Sequence, residues 1–140
     1  MNRYDFQKLA NVRLKDARIL RRNGRYEGCY YLCGYVVECA LKTCVAKLTK
    51  RYDFPDKALL SKERGVYTHD LMQLLKLAKL DTELDTEVGR IRQFETNCLV
   101  VKKWSEQSRY DVPDREKAEE MFEAVANRKD RVFRWIRQHW

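Results

Sequence analysis

The chain carries two histidines, His69 and His139, and each lies five residues after an arginine, in Arg64-Gly-Val-Tyr-Thr-His69 and Arg134-Trp-Ile-Arg-Gln-His139. An arginine and a histidine held over one phosphodiester suffice for RNA cleavage without a metal. The imidazole handles the proton of the 2′-hydroxyl or leaving group, and the guanidinium stabilises the phosphorane charge. With 29 Lys and Arg among 140 residues, however, such spacings arise easily by chance. Arg134 and His139 also fall in a helix-forming stretch, where five residues separate them by about 140°, so they diverge. Arg64 and His69 are the pair left to consider for catalysis. For His69 the plainer role is capping or packing at a helix start.

A second group is Ser105-Glu106-Gln107-Ser108-Arg109-Tyr110. Arg109 can grip phosphate through two parallel N–H donors, and Tyr110 can stack on a base. The competing role for Arg109 is a tie to a buried carboxylate such as Glu38. Other chemistries find little support. Four of the five cysteines (Cys29, Cys33, Cys39 and Cys44) share one helical stretch without a CxxC. Cys44 lies about 16 Å along the axis from Cys33, so four converging zinc ligands are not expected and buried thiols are. Neither a GxSxG nor a Walker-type loop occurs, and Glu83, Asp85 and Glu87 read as a solvated helix face. No metal and no cofactor are implied.

The elements that must position these residues are helical. A chain of 140 residues with 44% apolar and 36% charged residues makes one domain over 1–140, and its 5 Gly and 2 Pro are too few for a many-stranded sandwich. Residues 1–20 mix charges and apolar residues without a signal-peptide core, and no long uncharged run spans a membrane, so the expected location is the cytoplasm. Apolar periodicity predicts a helix over 5–22, stopped by Asn23-Gly24, and a second over 25–50. The second is apolar on both sides, with Leu48 the last residue of its inner face and with Glu38 and Lys42, an i,i+4 pair in the favourable order, among its few charges. That pattern calls for a further helix or another subunit on its second side, and Gly28 and Gly34 suggest close approach of another backbone. A connector over 50–67, with a short turn near 55–60, leads to a third helix capped by Thr68. A fourth follows over 81–104, with Leu84, Val88, Ile91, Cys98 and Leu99 inward, and a fifth runs from 113 to the C-terminus, with Ala118, Met121, Phe122, Val125, Val132, Phe133 and Ile136 inward. The net charge of +8 concentrates in residues 1–25 and 128–140, while 105–127 is acidic. If the ends meet, one basic surface suited to RNA, DNA or a phosphorylated ligand results.

Four stretches in order resemble HEPN domains, a helical-bundle family associated with nucleotide binding and RNA cleavage. They are Tyr26 to Lys42 with its Glu38-x-x-Leu41-Lys42, His69-Asp-Leu-Met-Gln-Leu-Leu75, Ser108-Arg109-Tyr110, and the amphipathic stretch 118–140. The resemblance implies an all-α, antiparallel four- to five-helix bundle, commonly a homodimer. Its site positions correspond to Glu38, Lys42, His69 and Arg109, with Tyr110 beside them. Cleaving members resemble one another in an R-x4–6-H near the later helices. Here Arg109 is followed by Tyr-Asp-Val-Pro-Asp, and Arg64 and His69 come too early. The resemblance therefore implies a non-catalytic module binding RNA or nucleotide, or pairing with a nucleotidyltransferase-type partner as in toxin–antitoxin and defence modules. A metal-independent endoribonuclease and a purely structural oligomerising bundle are the alternatives.

Overall fold

The computed structural model describes residues 1–49, 68–126 and 128–140. The connector 50–67, with the turn expected near 55–60 and Arg64, lies outside the described residues. Those that are described form α1 (Arg3–Arg22), α2 (Tyr26–Lys47), α3 (Leu71–Leu77), α4 (Asp81–Arg90), α5 (Arg92–Lys102), a 3-10 helix (Glu106–Tyr110), α6 (Arg115–Val125) and α7 (Val132–Arg137). The bundle is all-α, with more and shorter helices than the four or five expected.

The first two helices form an antiparallel hairpin. Asn2 caps α1 by accepting the Asp5 amide at 3.0 Å, while Asp5 accepts the Asn2 amide at 2.8 Å. The turn closes through Gly24 at φ +70°, a left-handed conformation that costs glycine nothing. Pairing is antiparallel because Gly28 meets Leu20 and Lys42 sits over the Phe6 ring. Ala10 and Ala17 are fully buried along the seam, where small side chains bring the two axes close.

Helix α2 is the axis of the molecule. Its first face buries Cys29, Tyr30, Cys33, Val37, Ala40, Leu41 and Cys44, and its second buries Val36 and Cys39. It packs against α1, α3, the 3-10 helix, α6 and α7. The chain itself therefore supplies the further helices that the second apolar side required. Leu48, expected on the inner face, caps the helix and is exposed. Gly34 answers a side chain rather than another backbone: the Trp104 indole occupies the space over it, and a Cβ there would clash with the ring. At Gly28 the neighbour is Leu20.

Three boundaries differ from the pattern reading. The N-cap of α3 is Asp70, whose carboxylate accepts the amides of Met72 (2.9 Å) and Gln73 (3.1 Å), and Thr68 instead accepts the Asp70 amide at 2.9 Å. The single helix expected over 81–104 breaks at Ile91, which is extended at φ −124° and ψ 107°. The break shifts the phase by about one residue, so Phe94, Asn97, Val101 and Trp104 turn inward and Leu99 is exposed. The last helix breaks at Ala126, and α7 starts afresh at Val132. All seven core residues expected there (Ala118, Met121, Phe122, Val125, Val132, Phe133 and Ile136) are nonetheless buried.

The chain ends meet at one end of α2: Lys47 Nζ donates to the His139 carbonyl at 3.1 Å, and Phe6 lies beside Lys42. The far end of α1 turns instead to the acidic α6, where Arg21 reaches Glu119 at 3.4 Å and Glu123 at 3.7 Å. Arg21, at least, is thus matched by acidic residues of α6 rather than by the C-terminal segment. Among the described residues no helix is long and apolar enough to cross a membrane.

The two kinds of glycine should respond oppositely to alanine. Gly34→Ala overpacks the Trp104 contact and should lower stability by about 2 kcal/mol. In α4, Gly89 has nothing within 4 Å of an added Cβ, so Gly89→Ala should raise stability by about 0.5–1 kcal/mol. Urea unfolding of both variants checks the pair, and a neutral Gly34→Ala would contradict the packing described.

Candidate functional site

Glu38 is the anomaly of α2: a carboxylate only 1% exposed on a helix of cysteines and aliphatics. One helical turn on, Lys42 returns its ammonium to Glu38 Oε1 at 2.7 Å, the favourable i,i+4 order expected from sequence. The same oxygen lies 2.9 Å from His69 Nδ1. Asp70 and Thr68 hold the backbone there, so His69 enters the bundle from the residue just before the α3 cap. It does not cap α3, which Asp70 does; its ring packs instead against the Glu38 carboxylate. Glu38 Oε2 is buried without a hydrogen-bond partner among the described residues.

The line continues outward. His69 Nε2 faces Glu106 Oε1 at 3.6 Å, and that oxygen lies 3.8 Å from Arg109 Nη1. The Arg109 guanidinium sits 4.8 Å from the centre of the Tyr110 ring. The 3-10 helix carrying Glu106, Arg109 and Tyr110 is shaped by Ser105 and Ser108. The Ser105 amide donates to Ser108 Oγ at 3.1 Å, and the Ser108 amide donates to the Ser105 carbonyl at 2.9 Å. Trp104 anchors the segment against Gly34 and Tyr31, with ring centres 5.9 Å apart in the second contact. Lys42, Glu38, His69, Arg109 and Tyr110 therefore fall on one path from the core to the surface. The direct Glu38–Arg109 tie weighed from sequence is not formed: Glu106 and His69 stand between them.

Glu106 was missed by sequence reading, although it stands three residues before Arg109 in a stretch that turns. Lys102, Lys103 and Trp104 were missed as well. They join His69 and Glu106 around an open groove of about 530 Å³ beside the α3 cap. With Nδ1 donating to Glu38, a neutral His69 ring keeps an acceptor lone pair at Nε2. A protonated ring gives a second donor toward Glu106. Exposure rises along the path, from 12% for Lys42 to 41% for His69 and 46% for Arg109.

Among the described residues no cluster of three or more His, Cys, Asp or Glu is arranged to hold an ion, and all five cysteines are free. Cys33 hydrogen-bonds Cys29, which pulls the Cys29 thiol pKa down and raises that of Cys33. Burial pushes Cys39, Cys44 and Cys98 up to about 12. Comparison of the chain with protein-family models, with curated proteins and with solved structures finds no match.

Two outcomes follow for stability. Glu38→Ala leaves the Lys42 ammonium nearly buried without its carboxylate and should cost about 3 kcal/mol. Arg109→Ala removes an exposed ion pair and a contact with the exposed Tyr110 ring, and should stay within about 0.5 kcal/mol. Equal losses in denaturant titrations would mean that the path is not graded from core to surface. The thiols add an alkaline limit. Their folded pKa of about 12 stands above the ordinary 9, so their contribution is complete below pH 9 and is lost as pH rises toward 12. Urea stability under a reductant should fall steadily above pH 9, by on the order of 1 kcal/mol per thiol for each pH unit. A flat profile to pH 11 would contradict this.

Proposed function

We propose that the protein is a non-catalytic, HEPN-type helical module that binds RNA or a nucleotide at the groove beside His69. One observation carries this reading. Residues singled out from three separate stretches, Glu38 with Lys42, then His69, then Arg109 with Tyr110, lie on a single path, and its surface end pairs an exposed cation with a ring 70% exposed. Lys102 and Lys103 add positive charge along the adjoining groove. In this reading Arg109, Lys102 and Lys103 contact phosphate, Tyr110 stacks on a base, and Glu38 with Lys42 holds His69 in register. The same resemblance carries the proposals of a homodimer and of a nucleotidyltransferase-type partner in a toxin–antitoxin or defence setting.

A second reading, a metal-independent endoribonuclease, draws on the Glu38–His69 pair. A buried carboxylate 2.9 Å from Nδ1 orients the imidazole and leaves Nε2 for a proton from substrate. Arg64, the arginine set against His69 by sequence, lies outside the described residues; Arg109, which reaches the His69 path through Glu106, would be a second source of positive charge for the developing phosphorane.

Fluorescence anisotropy with a labelled single-stranded RNA, over a salt series, separates the readings. Binding should weaken steeply with salt. Arg109→Ala and Lys103→Ala should each lower affinity about fivefold and reduce the salt slope by about 1, with the RNA intact in EDTA. Affinity indifferent to salt and to both substitutions would overturn the binding reading. Cleavage in EDTA that disappears in His69→Ala would replace it with the nuclease.

A further inference from the structure

The two helices that the sequence pattern continues, and the structure interrupts, break beside the same cavity. One wall is the extended Ile91 between α4 and α5. The other is the link Lys129 to Arg131 that leads into α7, in which Asp130 takes φ +64°, a left-handed conformation uncommon outside glycine. The link is tethered from below. Asn97, only 4% exposed, donates Nδ2 to the Asp130 carbonyl at 2.7 Å, and its Oδ1 accepts from Gln93 Nε2 at 3.2 Å and Arg131 Nη1 at 3.4 Å. A buried amide using both ends on one link is a costly way to hold a surface turn unless the turn shapes something.

What it shapes is a cavity of about 310 Å³ whose rim carries Arg90, Lys129, Arg131 and Arg134 and whose floor includes Phe94 and Trp135. The charges there are unequally matched. Arg90 is taken by Glu87 at 2.9 Å and Arg131 by Glu123 at 3.4 Å. Lys129 and Arg134 have no ion pair among the described residues, and Asp130 is the one acidic lining residue left to offset them. Arg131 Nε is buried without a hydrogen-bond partner among the described residues. The cavity thus offers more positive charge and more donors than its own acceptors use, against an aromatic floor.

We infer that this cavity binds a small phosphomonoester. A dianionic phosphate supplies several acceptor oxygens for the fork of Arg134 and the point charge of Lys129, and the organic part rests on the aromatic floor. None of these residues belongs to the His69 path, so the inference stands apart from the proposed function.

Isothermal titration of the full chain with ribose 5-phosphate and with ribose tests it. Ribose 5-phosphate should bind saturably and ribose should not. Arg134→Ala and Lys129→Ala, both at exposed positions, should each weaken binding about tenfold, while Arg109→Ala leaves it unchanged. Circular dichroism melts establish that the variants are folded. The inference is overturned if the sugar binds as tightly with and without its phosphate, if no saturable binding occurs, or if the loss follows Arg109→Ala instead. That last outcome would move phosphate binding to the His69 groove without touching the RNA reading.

Discussion

A carboxylate buried in the middle of an apolar helix sets terms that the surrounding structure has to meet. Charge transferred from water to the protein interior costs several kcal/mol even after relaxation, and only close partners return it. Glu38 takes two on one oxygen, Lys42 from its own helix and His69 from far along the chain. The second partner makes the start of α3 part of the core's electrostatics. His69 can reach Glu38 only if the backbone before Leu71 is held, and the Thr68 and Asp70 bonds hold it. The buried charge therefore specifies where a distant segment docks.

Shape imposes a second requirement in the same region. The absence of a side chain at Gly34 lets the Trp104 ring settle on the backbone of α2. That contact fixes the exit of α5 and the entry of the 3-10 helix, which carries Glu106 and Arg109. A missing Cβ and a buried charge, one turn apart on the same helix, thus position the two segments that complete the candidate site. The helix is apolar all round for a matching reason: α1, α3, α6, α7 and the 3-10 helix leave little of it to solvent.

Much of this was legible in the sequence where periodicity is long and unbroken. The α1–α2 hairpin, its glycine stop, the Glu38–Lys42 pair and the buried residues of the last two helices all followed from spacing and turn chemistry. The breaks at Ile91 and Ala126 did not, because neither position carries a proline or glycine and tertiary contacts decide there. The tether from Asn97 to Asp130 joins residues 33 apart, and no local pattern records it. Trp104 on Gly34 was half legible: a glycine inside a helix announces a close approach without saying what approaches. Glu106 was overlooked because an acidic residue in a polar turn looks like any other until His69 is brought to face it.

The antiparallel hairpin has a consequence for the order in which the molecule assembles. Its contacts join neighbours across a short turn, so they close with a small loss of chain entropy. The path from Glu38 to Arg109 instead joins α2 to segments whose distance along the chain makes closure costly. The hairpin can form as a local unit, whereas that path exists only after the later helices have wrapped it. Its integrity is therefore a report on the completed fold, and partial opening of the later helices dissolves it while α1 and α2 remain paired.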